Sequence, residues 1–223
     1  MLSINDRFKD APWYKGCIDE DITVVGVGGI GSNALYYLTK TIPANYSILD
    51  PDIVEEYNIG SQFFNMKDIK KYKVSAIYEM ISGYFTNRNK LHIYNSKFKR
   101  EFYSPIMISA LDNMKTRKEI YDVWKTDKNR EILIDGRLRA NMYEVFVVTK
   151  GKEEEYEKTL FDDSEVDGGP CTFKQTAYFG GLIGARITHV LVNYLTNKYS
   201  EEPVATLPFK ITEVGEPFYI EIL

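Results

Sequence analysis

Gly26, Gly28 and Gly31 stand at the spacing G-x-G-x-x-G, after the β-branched run 22–25 and before residues 33–38, which have helical spacing. Strand, glycine turn and helix in that order suit the binding of a phosphate. The first glycine permits a tight turn, the second lets the backbone approach the anion, and the third lets helix and strand pack closely. Free amides at the helix start then face the phosphate, with the positive end of the helix dipole behind them. A second short strand, 46–49, ends in Asp50, nineteen residues after Gly31. A dinucleotide fold carries its ribose-binding carboxylate there. The plainer alternatives are a structural glycine turn and a strand-end cap.

Further polar residues follow in order. The loop after Asp50 contains Asp52, Asn58 and Gln62, and Lys73 lies eleven residues beyond Gln62. Lys73 shares a helical face with Ala76, Ile77 and Met80, which turns it towards the sheet edge; the alternative is a lysine snorkelling at the surface. Asn58 and Gln62 are either neutral donors to a ligand or amides that brace the loop. Asp112 ends an apolar strand, 106–111, at the edge where open α/β sheets bind ligands. A lone carboxylate there suits a magnesium ion shared with nucleotide phosphates.

These residues need a scaffold, and the pattern of apolar runs supplies one. Residues 1–21 read as a polar arm anchored by Trp13 and Tyr14. Residues 22–137 alternate short apolar strands (22–25, 46–49, 91–94, 106–111, 131–135) with helices, one opening at Asp68 and running to about Tyr84, another over 114–124. That alternation predicts a parallel sheet with right-handed crossovers. From 138 the grammar changes. Residues 143–149 form a strand without a preceding helix, hence antiparallel, and 152–158 a solvated charged helix or turn. An acidic glycine-containing loop spans 162–170. A helix over 176–194 carries the small pairs Gly180-Gly181 and Gly184-Ala185, and two last strands, 208–212 and 218–222, flank a turn. The expected fold is one α/β domain, a Rossmann-like mostly parallel sheet flanked by helices with an antiparallel C-terminal extension.

Composition narrows the class. A formal charge of −4 over 223 residues gives no electrostatic case for nucleic acid. Two cysteines, Cys17 and Cys171, make neither a disulfide framework nor a four-cysteine zinc site. The apolar stretch 182–195 carries Arg186 and His189 and is too short to span a bilayer. A soluble cytoplasmic protein is expected.

Taken together, Gly26-x-Gly28-Gly29-Ile30-Gly31, Asp50, Asp52, Asn58, Gln62, Lys73 and Asp112 resemble the ThiF/MoeB/HesA superfamily of adenylating enzymes, to which ubiquitin-activating enzymes belong. The likeness is good over 20–137 and looser through Cys171-Thr172 and the helix beyond. It implies ATP and Mg2+, with Asp50 on the ribose, Asn58, Gln62 and Lys73 on the phosphates or the attacking carboxylate, and Asp112 on the metal. It implies adenylation of the C-terminal carboxylate of a small ubiquitin-like (β-grasp) or sulfur-carrier protein. It also implies a homodimer in which Arg7 reaches the partner's phosphates, with the Gly/Ala-rich helix face supporting the packing. Cys171 stands near the family's covalent-acceptor cysteine.

There are two departures. Ser61 stands where the family has arginine, which leaves Arg7, Lys70 or Lys71 to compensate. The paired CxxC motifs are missing, so no zinc is expected. The rival readings are a non-catalytic nucleotide-binding scaffold and an NAD-dependent oxidoreductase.

Overall fold

The computed structural model describes residues 8–85, 90–139, 141–162 and 177–223. Its centre is an eight-stranded sheet in the order β3-β2-β1-β4-β5-β6-β7-β8. The strands are β1 (Asp21–Val25), β2 (Asn45–Leu49), β3 (Leu91–Tyr94), β4 (Ile106–Ser109), β5 (Ile132–Arg139), β6 (Met142–Thr149), β7 (Lys210–Gly215) and β8 (Phe218–Ile222). Pairing is parallel from β3 to β5 and antiparallel from β5 to β8. The strand order reverses between β1 and β4, where a doubly wound sheet opens a crevice at the carboxyl ends of its strands.

Alternating side chains divide the core in two. Ile22 and Val24 of β1, with Ile48, Ile108 and Ile134, face α1 (Pro12–Gly16), α2 (Gly29–Thr41), α3 (Lys73–Ile81) and α6 (Ala177–Tyr199). Val25, Leu49, Met107 and Leu133 face α4 (Met114–Thr126) and α5 (Glu153–Glu157). Trp13 is buried in the first cluster, which anchors the arm as its composition suggests.

Four expectations need correction. The helix expected from Asp68 begins at Lys73. Residues Met66–Asp68 form a separate 3-10 turn, in which Asp68 accepts the Asn65 amide. An acidic cap therefore closes its own short turn rather than the helix after it. The fifth strand does not end at Asp135 but continues four residues to Arg139. Gly136 permits this, because a Cβ there would lie 3.1 Å from methyl groups of Ile30 and Ile187. The charged stretch 152–158 is not merely solvated: Tyr156 of α5 is fully buried, Glu153 pairs with Arg130, and Glu157 accepts from Tyr121.

The fourth correction concerns α6. It runs on to Tyr199, and its small residues pack within the chain. A Cβ on Gly180 would lie 2.7 Å from the Gly29 carbonyl oxygen, and one on Gly184 2.7 Å from the Ala34 nitrogen. Gly180 and Gly184 thus bring α6 against α2 and are not a free face for a second subunit.

This packing predicts contrasting responses at neighbouring glycines. Gly184→Ala should lower stability by about 1–3 kcal/mol through overpacking. Gly181→Ala, whose nearest neighbour is Tyr37 Oη at 3.8 Å, should be neutral or stabilising by up to about 1 kcal/mol. Urea unfolding of both variants checks this; equal responses would contradict it.

Candidate nucleotide-binding site

The crevice between β1 and β4 is a cleft of about 880 Å³. One wall is the glycine turn. Gly26 has φ +94°, a conformation that favours glycine, and a Cβ on Gly31 would stand 1.9 Å from the Gly26 carbonyl oxygen. Gly28 differs: a Cβ there would meet only Gln62 Nε2, at 4.0 Å, because the position opens into the cleft. No side chain caps α2 at Gly28. The first-turn amides, those of Gly29, Ile30 and Gly31, have no carbonyl partner within the helix and are available to an anion. Ser32, which sequence reasoning passed over, fixes the turn: its hydroxyl donates to the Gly28 carbonyl at 2.6 Å and accepts the Phe63 amide at 2.9 Å.

Asp50 follows β2 and is buried. One carboxylate oxygen accepts the Val27 amide at 2.7 Å and the other the Asp52 amide at 2.8 Å. Burial raises its carboxyl above the ordinary value, against the opposing pull of Lys73 and the two amides. Asp50 therefore braces two loops at the strand end and lines the cleft at the same time.

Lys73 opens α3 and is buried, its ammonium 2.9 Å from the exposed Asp52 carboxylate. A cation in the first turn opposes the helix dipole, so this placement needs its carboxylate partner. Asn58 Oδ1 accepts the Glu55 amide at 2.9 Å, so the side chain braces a 3-10 turn at the cleft wall. Gln62 Oε1 is buried without a hydrogen-bond partner. Asp112 is exposed at the opposite wall, after β4, with Asn113 Nδ2 3.4 Å from its Oδ1.

The structure brings Gly26, Gly28, Gly29, Ile30, Asp50, Asp52, Asn58, Gln62, Lys73 and Asp112 to one cleft. Arg7, Cys171 and most of the 162–170 loop lie outside the described residues. Of the three proposed substitutes for the missing arginine at Ser61, the two that are described do not line the cleft: Lys71 is paired with Asp68 and Glu79, and Lys70 is exposed elsewhere. Its cationic lining comes instead from Lys73, Lys97, Lys115, Arg137 and Arg139, whereas Arg117, which also borders the cleft, is buried and paired with Asp135. Cys17 is buried, and burial pushes its thiol up to about 12, which keeps it protonated at neutral pH.

Two of these arginines belong to a network that the sequence analysis missed. Asp135, fully buried at the end of the parallel part of β5, accepts Arg117 Nε at 2.9 Å, Arg137 Nε at 2.8 Å and the Tyr156 hydroxyl at 3.0 Å. Burial alone would raise the Asp135 carboxyl, but the two guanidinium groups hold it below its ordinary value. A signal was present. Asp135 and Arg137 share a strand face at period two, and Arg117 sits on the buried face of α4 with Met114, Tyr121 and Trp124.

The donor set fits a nucleotide, with an uncapped helix start and an open glycine position beside the Gln62 amide nitrogen. For the metal, no group of three or more His, Cys, Asp or Glu is gathered among the described residues. Magnesium does not require one: it is commonly held by one or two carboxylates, with phosphates and water completing the shell, so Asp112 fits that role. No helix among the described residues is long and apolar enough to cross a membrane.

A doubly wound sheet with a glycine-turn cleft at its switch point defines a nucleotide-binding α/β fold. The sequence model of the ThiF family matches residues 16–214, and the chain belongs to that family. The SUMO-activating enzyme subunit uba-2 of Caenorhabditis elegans is 26% identical over 170 residues, 73% of this chain and 29% of the relative. SUMO-activating enzyme subunit 2 of Dictyostelium discoideum is 30% identical over 149 residues, 61% of this chain and 21% of the relative. The chain therefore spans less than a third of the curated relatives it matches.

Among solved structures, PaaA superposes with a TM-score of 0.71 at 16% identity, covering 95% of this chain and 66% of PaaA. Escherichia coli MccB with ATP gives 0.68 at 17% identity, covering 99% and 65%. At such identities these structures show the fold alone.

The glycine geometry separates binding from folding. Gly28→Ala should keep wild-type stability to within about 1 kcal/mol but weaken ATP binding at least about tenfold, because the new methyl stands where phosphate approaches. Gly31→Ala, which strikes backbone, should lose the fold itself. Calorimetric titration with ATP and thermal unfolding check both. Wild-type ATP affinity in Gly28→Ala would contradict the placement.

Proposed function

We propose that the chain is an ATP-dependent adenylyltransferase acting on the C-terminal carboxylate of a small ubiquitin-like or sulfur-carrier protein. One observation carries this reading: the uncapped start of α2, Asp50, Lys73 and Asp112 all meet in one cleft. A nicotinamide dinucleotide would use the first two, but hydride transfer has no task for a buried lysine beside the phosphates or for a carboxylate across from them. The names of the SUMO-activating relatives and the ATP bound to MccB agree with the reading.

Each residue then has a physical task. Asp50 accepts the ribose hydroxyls with the lone pairs that the two amides leave open. The α2 amides and their dipole receive the phosphates. Lys73, already buried and held at the cleft by Asp52, turns from that carboxylate to meet them. Asn58 Nδ2 and the Gln62 amide hold the incoming carboxylate by neutral donors. A carboxylate oxygen attacks the α-phosphorus, the bond from that phosphorus to the bridging oxygen breaks, and the electron pair leaves on pyrophosphate. No proton moves, so positioning and charge stabilisation supply the catalysis. Asp112 would hold a magnesium ion, which when bound would add further neutralisation of the developing charge.

The reading extends to residues outside the described segments. A second copy would bring Arg7 to the phosphates, as in a homodimer. Cys171 would take the activated carboxyl group only after adenylation, so Cys171→Ala should still form the acyl-adenylate, detected as released pyrophosphate.

The test is ATP–pyrophosphate exchange with β-grasp proteins ending in glycine, each prepared as the free acid and as the C-terminal amide. Exchange is expected with a free acid and not with its amide. Asp112→Asn should lower the rate at least about a hundredfold while remaining folded. Exchange indifferent to amidation, or wild-type exchange in Asp112→Asn, would overturn the reading.

A further inference from the structure

We infer that Arg117, anchored by Asp135, is a positioning residue that fixes the Leu111–Asp112 backbone so that Asp112 meets the metal on the bound nucleotide. The inference rests on the adenylation reading and concerns how its metal carboxylate is held.

Asp112 is exposed, and among the described residues its carboxylate meets Asn113, its own neighbour, at 3.4 Å. An exposed aspartate in a connection would sample several rotamers and backbone positions, and ordering it costs conformational entropy. The residues on either side of it are nevertheless both fixed. Asn113 is the N-cap of α4, its Oδ1 accepting the Thr116 amide at 2.9 Å. On the other side, Arg117 Nη2 donates to the Leu111 carbonyl and, at 3.1 Å, to the Gly136 carbonyl. The connection from β4 to α4 is therefore pinned to β5 through one guanidinium group.

The guanidinium is itself held. Its Nε pairs with Asp135 at 2.9 Å, and both groups are buried, Arg117 at 6% and Asp135 at 0% exposure. A buried carboxylate demands compensation, and here two arginines and a tyrosine supply it. The second arginine carries the brace further: Arg137 donates to the Thr159 carbonyl at 2.9 Å and to the Thr159 hydroxyl at 3.0 Å, two residues before the cleft residue Phe161. Asp135 is thus a buried hub joining the metal-side connection, the β5 wall and the segment that carries Phe161 to the cleft. Arginine suits the position because its planar fork holds Nε against the carboxylate and Nη2 against the two carbonyls, whereas the three donors of a lysine ammonium radiate from one nitrogen.

The informative variant is Arg117→Lys, which keeps a positive charge beside Asp135 and loses the fork to Leu111. Mn2+ binding to the complex with the non-hydrolysable analogue AMPCPP is titrated by electron paramagnetic resonance, and AMPCPP binding in EDTA is measured alongside. The expected result is a rise of about tenfold or more in the Mn2+ dissociation constant, the range for outer-shell partners of metal ligands, with metal-free AMPCPP affinity unchanged. In an Asp112→Asn background, Arg117→Lys should add nothing further.

Wild-type Mn2+ affinity in Arg117→Lys, or an equal loss in the Asp112→Asn background, would overturn the inference. Loss of metal-free AMPCPP binding would overturn it as well, by showing a general structural role. Should Arg117→Lys fail to fold, Asp135→Asn is the second variant, with the same expected and contrary results. A wild type that binds no Mn2+ with AMPCPP would instead refute the adenylation reading.

Discussion

The structure turns on one buried carboxylate. Asp50 accepts the amide of Val27 from the glycine turn and the amide of Asp52 from the loop after β2, so two connections that are far apart in sequence are held at a fixed separation at the carboxyl edge of the sheet. Because Asp52 in turn pairs with Lys73, the same joint sets where α3 begins and where its lysine is directed. Removing the carboxylate would free three parts of the cleft wall at once. Its burial is unfavourable for the charged form, and the two amides together with Lys73 offset that penalty.

The opposite wall repeats the logic with a larger network. Asp135 is compensated by Arg117 and Arg137, and through them it fixes the β4–α4 connection and the Thr159 turn. One buried aspartate therefore organises each side of the cleft, and the polar groups available to a ligand lie between them. The absence of arginine at position 61 is also intelligible in this arrangement. Arg137 and Arg139 of the lengthened β5 bring cations to the cleft from the other wall, whereas Lys70 and Lys71 stand away from it.

Much of this was legible in the sequence because it is local. The run into Gly26, Gly28 and Gly31, the aspartates closing β2 and β4, and the change from parallel to antiparallel strands each leave a signature within a few residues. What escaped depended on contacts between distant segments. The strand expected over 131–135 runs on through Gly136, which is a site of close approach to Ile30 and Ile187. Gly180 and Gly184 looked like a face for a partner but meet α2 of the same chain. Asp68 looked like a helix cap because its preference is satisfied equally by a single 3-10 turn. Arg117 and Arg137 showed no motif, since their common partner lies eighteen residues from one and two from the other.

The central claim is that a nucleoside triphosphate binds at the β1–β4 switch point with its phosphates on the α2 amides and its ribose on Asp50. The most direct measurement is a crystal structure with a non-hydrolysable ATP analogue and magnesium. The account predicts phosphate oxygens within hydrogen-bond distance of the amides of residues 28–31, a ribose hydroxyl on Asp50, and Lys73 turned from Asp52 towards the phosphates. Well-ordered nucleotide bound anywhere else, or bound there with Asp50 and Lys73 untouched, would contradict it.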